Sequence, residues 1–222
     1  MVTKSTSSST NRRTSLKSKN NAYLWIFIGI NLAIFFSVLI SNGFDGSSID
    51  QLWKRVTTKN GIIAAGIPIL AIVLTGFLND VTKARLVFWR WRNPLPGCRA
   101  FTELMKTDPR IDVPALKRKL GDLPRNPQMQ NALWYQIYKK YRDSVVVSDA
   151  HRFYLLTRDI ATLSAIFVAL LSLGVVLSSV SWKPAAIYGA ALIAQYLIVA
   201  TSARNYGTRF VLNVLTEESH SK

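Results

Sequence analysis

Four stretches near twenty residues long carry no charged side chain, and the chain alternates between them and strongly polar segments. They cover 22–40 (AYLWIFIGINLAIFFSVLI), 61–78 (GIIAAGIPILAIVLTGFL), 160–180 and 185–203. Each is close to the ~20 residues that a helix needs to cross a ~30 Å hydrocarbon core. Lipid offers no partners to backbone N–H and C=O groups, so an open-ended span must be helical. The pattern predicts an all-α membrane protein with four transmembrane helices in two hairpins, 22–79 and 160–203. The first span is too long for the apolar core of a signal peptide, and SNGFDGSS after it offers no small-x-small cleavage site. It reads as a retained anchor.

Residues 80–159 form an insert between spans two and three, where short helical patterns alternate with breakers. The helix of the second span is expected to continue through TKARLVFWRWR until Asn93-Pro94-Leu95-Pro96-Gly97 stops it. A short helix is expected around Arg99–Lys106. Asp112 ahead of Pro114 marks a capped helix start, and Gly121 its stop. Asn126 caps a longer helix, Pro127–Tyr141, with Met129, Leu133, Ile137 and Tyr141 at fourfold spacing and Trp134 and Tyr138 beside them. Ser148 or Asp149 then opens a helix expected to run unbroken into the third span. From Ala150 to Val180 that makes a rod of roughly 45 Å, which would couple the insert rigidly to the membrane.

Charge sets the orientation. The formal net charge is +16, alongside 49% hydrophobic residues. Five Lys/Arg lie in the tail 1–21, sixteen in the insert and three in the tail 204–222. The loop 42–60 holds only three and the 181–184 turn only one. The positive-inside rule then puts both termini and the insert in the cytoplasm of a bacterial inner membrane. Ten of the first twenty residues are Ser or Thr, with no acid before Asp45, so 1–21 reads as a disordered basic tail with an electrostatic hold on anionic lipid. Phe44, Leu52 and Trp53 mark the 42–60 loop as a segment lying in the interface.

The side-chain inventory excludes more chemistry than it offers. One cysteine and two histidines rule out a disulfide-stapled domain and argue against a Cys/His metal centre. There is no Gly-rich phosphate loop, no GxSxG and no His–Cys or His–Asp grouping of useful spacing, so neither an enzyme nor a cofactor is expected. Cys98 beside Arg99 is a candidate lowered-pKa thiol without a partner histidine, and His151 beside Arg152 reads as a surface residue. Absence of a carboxylate within the spans counts against an ion-coupled transporter. Two amides do lie mid-span, Asn31 and Gln195, suited to bonding across helices or to lining a polar path. Ala186, Ala190 and Ala194 form a small-residue row, and Gly66 with Pro68 marks a bend.

The insert's net +8 exceeds what orientation requires. Its candidate ligand-binding cations are Arg90, Arg92, Arg99, Lys117, Arg118, Lys119, Arg125, Lys139, Lys140 and Arg142. They interleave with Trp89, Trp91, Phe101, Trp134, Tyr135, Tyr138 and Tyr141. Cations neutralise phosphates and aromatic faces stack on bases, so a nucleotide or oligonucleotide ligand fits this composition. The competing reading is that topology alone put the cations inside while the aromatics form a small core.

In size, span number and concentrated basic charge, the chain resembles small membrane effectors of bacterial anti-phage systems. Among these it is most similar to the channel-forming effector of the Hailong system, which is paired with a nucleotidyltransferase. The segment RNPLPGCRAF, followed by DPRID, has the form of a family signature without chemistry attached to it. The resemblance implies a tetramer whose basic interior binds an acidic oligonucleotide made by the partner enzyme. That ligand would hold the channel shut, and its loss on infection would open it. From the residues, one bundle of four helices has no room for a pore, so a homo-oligomer must share one. The rival class is a non-conducting scaffold that recruits an acidic protein or nucleic acid.

Overall fold

A computed structural model describes residues 16–41, 66, 69–70, 73–177 and 180–221. The tail 1–21 expected to be disordered is helical from Leu16 onward; its residues 1–15, the interfacial loop 42–60, half of the second span and Pro68 of its bend lie outside the described residues. The helices are α1 (Leu16–Ser41), α2 (Asp80–Phe88), α3 (Val113–Leu120), α4 (Pro127–Tyr141), α5 (Val145–Leu177) and α6 (Trp182–His220). Two turns of 3₁₀ helix, Pro96–Arg99 and Leu104–Lys106, lie between α2 and α3. Positions 73–77 are also helical. All regular structure among the described residues is helical, and three of these helices are long and apolar enough to cross a membrane: α1 over Asn20–Leu39, α5 and α6.

α5 and α6 are the antiparallel spine, and each serves two cores. At one end Ile28 and Phe35 of α1 pack with Leu163, Phe167 and Leu171 of α5 and with Tyr188 and Leu192 of α6. The outside of this bundle is apolar too: Trp25, Ile26, Ile30, Ile34, Val176, Ile187 and Ile198 are exposed. A contiguous apolar exterior is costly in water and natural against lipid. At the other end Val87 and Phe88 of α2, Leu116 of α3 and Trp134 of α4 close over Val147 and Tyr154 of α5. Phe210, Val211 and Leu215 of α6 complete that second core. Its surface carries the insert's charges.

The structure departs from the sequence reading of 204–222 as a tail. α6 is one helix of 39 residues, roughly 60 Å long at 1.5 Å per residue. The apolar run RFVLNVL places Phe210, Val211, Val214 and Leu215 on one stripe, buried against the insert. Close approach there depends on Gly207: an added Cβ would stand 2.9 Å from Phe88 Cζ and from Tyr154 Cε2. The insert is therefore not a self-contained unit.

Other boundaries also moved. The expected continuation of the second span through 82–92 is interrupted at Asn79, whose side chain accepts from the Thr82 N–H at 2.8 Å and starts α2 afresh. α2 ends at Phe88 because Trp89 takes a left-handed conformation, φ 53°. The short helix expected at Arg99–Lys106 is instead divided into the two 3₁₀ turns. α5 begins at Val145, ahead of the expected Ser148. The caps hold as expected: Asp112 accepts from the Ala115 N–H at 2.9 Å, and Asn126 accepts from Gln128 and Met129. Gly121 ends α3 at φ +70°. On α4 the buried side is Gln130, Trp134 and Ile137, while Met129 is exposed.

Candidate functional site

A groove of about 600 Å³ opens on the polar end of the molecule. Phe101, Met105 and Leu123 give it apolar walls, and Lys106, Lys117 and Arg125 supply three cations against one carboxylate, Asp122. Each cation comes from a different element: the second 3₁₀ turn, the last turn of α3 and the loop before α4. Among the described residues none of these three side chains has an ion-pair partner. Like charges held together without internal partners favour an anion between them.

Gln130 fixes the groove's shape. It is 1% exposed, and its Oε1 accepts from the backbone N–H of Phe101 at 3.1 Å, the N–H of Thr102 at 3.2 Å and the Thr102 hydroxyl at 3.2 Å. Its Nε2 donates to the Arg125 carbonyl at 3.0 Å. One amide thus pins both banks, since Thr102 and Arg125 line opposite stretches of the same groove. On the far side of that connection Gly97 packs against α4, where a Cβ would stand 2.8 Å from the Trp134 ring.

The ten cations singled out from sequence divide by location. Lys117 and Arg125 line the groove. Arg118 is exposed beside them on α3. Arg90 and Arg99 converge on Glu103 at 3.6 and 3.7 Å. Lys119 caps the end of α6, donating to the carbonyls of Glu218 and Ser221, where a cation complements the helix dipole. Lys140 pairs with Glu218 at 2.9 Å, and hydrogen bonds to Tyr141 and Glu218 raise its pKa. Arg142 lies 3.7 Å from Asp143, and Lys139 sits over the Tyr135 ring at 4.9 Å. Arg92 lines a separate cavity beside α2. Four of the seven aromatics also turn inward: Phe101 and Trp134 are buried, and Tyr138 and Tyr141 pack against the core.

Several expectations about single residues change. Cys98 is buried in the first 3₁₀ turn, and burial pushes its thiol up despite the opposing pull of Arg99. It is not the activated thiol that the adjacent arginine promised. His151 is no surface residue: its ring stacks on Phe210 at 4.5 Å and its Nδ1 lies 3.0 Å from the Tyr138 hydroxyl. Asn31 and Gln195 meet each other, the Gln195 Nε2 donating to the Asn31 Oδ1 at 3.1 Å and joining α6 to α1. Ala186, Ala190 and Ala194 are exposed on the outside of the apolar bundle.

The structure adds residues that sequence reasoning passed over. Lys106 joins the groove, and Gln130 orders it. An ion network ties α2 to α5: buried Arg158 reaches the exposed Asp80 at 3.0 Å and Asp159 at 3.2 Å, while Lys83 reaches Asp159 at 3.2 Å. Arg204 of α6 lies over the Trp89 ring at 3.5 Å and donates to the Val87 carbonyl. The one signal in the sequence was a polar residue, Gln130, on the face of α4 that Trp134 and Ile137 make apolar. Matched against family models, curated proteins and solved structures, the chain has no counterpart among them.

Proposed function

We propose that this is a bacterial inner-membrane protein with four spans that senses an anionic ligand, a nucleotide or oligonucleotide, in the cytoplasm and changes the state of an oligomeric channel. The observation that carries this reading is the groove of Lys106, Lys117 and Arg125, whose elements pack on the same two helices, α5 and α6, that also form the apolar bundle. Three cations with no ion-pair partner among the described residues suit phosphates, and the buried Phe101 backs the groove from the core side. Asp122 can receive a hydrogen from a sugar hydroxyl or a base amine. α5 and α6 run from the core beneath the groove into the bundle, and the proline of α6, Pro184, lies in its first turn at the far end, so displacement at the groove would reach the spans as rigid-body motion. A pore needs several subunits, a tetramer on the resemblance above, and anti-phage defence would be the setting.

The test is flux from liposomes containing the full chain, with membrane potential followed by dye in cells expressing it. Lys117→Glu combined with Arg125→Glu should abolish control of flux by an added nucleotide or oligonucleotide while leaving insertion normal. Unchanged control in that variant removes the groove from the mechanism, and absence of flux under all conditions removes the channel. The second reading, a non-conducting scaffold, is favoured by one observation: Gln195 donates to Asn31 and Asn31 to the Phe27 carbonyl, so both amides are engaged in helix contacts. It predicts salt-sensitive binding of acidic partners without flux.

A further inference from the structure

We infer that the segment from Phe77 to Asn93 forms a binding site for the phosphate headgroup of an acidic phospholipid, apart from the groove of Lys117 and Arg125. Its position comes first. The anchors of α2 fall on a narrow band of the spine: Asp80 and Lys83 on Arg158 and Asp159, Phe88 beside Tyr154 and Gly207, Leu86 and Val87 on Tyr196 and Arg204. That band is where both spine helices change character. Residues 160–177 of α5 and 185–203 of α6 have no charged side chain, and Arg158, Asp159 and Arg204 are the first charges beyond them. A helix held at this band lies at the boundary between hydrocarbon and water, where headgroups sit.

Next comes what α2 and its sequel present there. α2 buries Lys83, Ala84, Val87 and Phe88 against the spine. Outward it leaves Phe77, 82% exposed, and Trp91, 81% exposed, with Trp89 half-exposed between them. Indole rings with an apolar body and a polar edge are at home at an interface and costly in bulk water. Arg85, Arg90 and Arg92 are interleaved with them. The Trp89 indole donates to the Tyr196 hydroxyl at 2.9 Å, which donates to the Leu86 carbonyl at 2.7 Å, so the turn is fixed from beneath.

A cavity of about 470 Å³ opens against this segment, between Arg85, Trp91, Arg92, Asn93 and Gln128. No carboxylate lines it. Arg85 is held by its Nε donating to the Trp91 carbonyl at 3.2 Å, and the Gln128 Nε2 donates to the Asn93 Oδ1 at 3.0 Å. Two guanidiniums and amide donors around an acid-free cavity match a phosphodiester, while Val81, Pro94 and Leu95 give the glycerol end an apolar wall. Such charges work against lipid headgroups within about a Debye length of the surface.

The test is native mass spectrometry of the full chain released from detergent after equilibration with equal amounts of phosphatidylglycerol and phosphatidylcholine. The expected result is preferential retention of phosphatidylglycerol, about fivefold weaker for Arg92→Gln and about thirtyfold weaker for Arg85→Gln combined with Arg92→Gln, from roughly 1 kcal/mol per cation near a membrane surface. Lys117→Gln, in the other groove, should retain the lipid as well as the parent does, so failure here is distinct from failure of the nucleotide reading. Arg92 and Trp91 are exposed, so their variants keep the fold. Equal retention of the two lipids, or equal retention by parent and double variant, overturns the site. Displacement of bound lipid by soluble glycerol phosphate would make it a site for free phosphates and also overturn it. If Trp91→Ala changes the oligomer mass without changing lipid retention, the face belongs to a second copy of the chain and the inference fails.

Discussion

Replacing Gln130 by leucine is the sharpest test of how the groove is held. The side chains are similar in volume, so the change removes hydrogen bonds without opening a large cavity. The Phe101 N–H is left inside the core with no acceptor, at a cost of about 1–3 kcal/mol. The Thr102 contacts and the Arg125 carbonyl are near the surface, where water takes over, and each loses about 0.5–1.5 kcal/mol. Together these sum to roughly 2.5–7.5 kcal/mol, so a loss of at least about 2.5 kcal/mol is expected, at the upper end of what single substitutions do. The assay is thermal unfolding of the full chain in detergent, read by tryptophan emission, beside salt-dependent binding of an oligonucleotide. Gln128→Leu is the control: its amide bonds the exposed Asn93 side chain, so its effect should stay within about 0.5 kcal/mol. The Gln130 variant should melt early and, at temperatures where it is folded, bind the anion less tightly because 101–102 and 125 are no longer pinned. Equal melting of the two variants would refute the account of Gln130 as the organiser of both banks.

Three further outcomes follow from other contacts. Gly207→Ala should destabilise by about 1–3 kcal/mol, because the new methyl meets Phe88 and Tyr154 at 2.9 Å and overpacking outweighs the gain in helix propensity; a raised melting temperature would contradict the close approach. Burial keeps the Cys98 thiol protonated above its ordinary value of 9.0, so maleimide should label native protein far more slowly than unfolded protein at neutral pH, and fast native labelling would refute it. The same shift has a sign: the stability it contributes is intact below the ordinary thiol value and is lost as pH rises past it. Asp159→Asn should cost about 3–5 kcal/mol by leaving the buried Lys83 ammonium without its carboxylate, with Lys83→Met in the same chain recovering part of it; no recovery would mean that the charges do not act as a pair.

The parts of the fold legible in the sequence are those governed by local rules. Asn126 and Asp112 could be read as caps because a side-chain oxygen three residues ahead needs no tertiary context. Apolar length gave α1 and the membrane parts of α5 and α6 for the same reason. What was not legible depended on partners distant in sequence. Residues 204–222 looked like a tail because three cations and two acids dominate their composition, yet RFVLNVL matters more once α2 and α4 stand opposite it. Cationic sequence clusters were equally ambiguous: Lys117, Arg118 and Lys119 are neighbours in the chain, but one lines the groove, one faces solvent and one caps α6. Lys106, fifteen positions from Asp122's neighbour Gly121, reaches the same groove only through the 3₁₀ turns that replaced an expected helix.

Because Phe210, Val211 and Leu215 complete the core over which α2, α3 and α4 close, the segment 80–159 cannot finish folding when it leaves the ribosome. On the proposed membrane placement, it waits until both helices of the second hairpin have been inserted and the chain has returned to the same side of the bilayer. A second hairpin that inserts in reverse would strand residues 204–220 across the membrane from their partners. Trp134, Phe88 and Leu116 on one side, and the Phe210 stripe on the other, would then stay exposed to water. An error of topology thereby becomes an error of folding, open to the proteases that degrade unfolded chains, and only correctly threaded molecules survive.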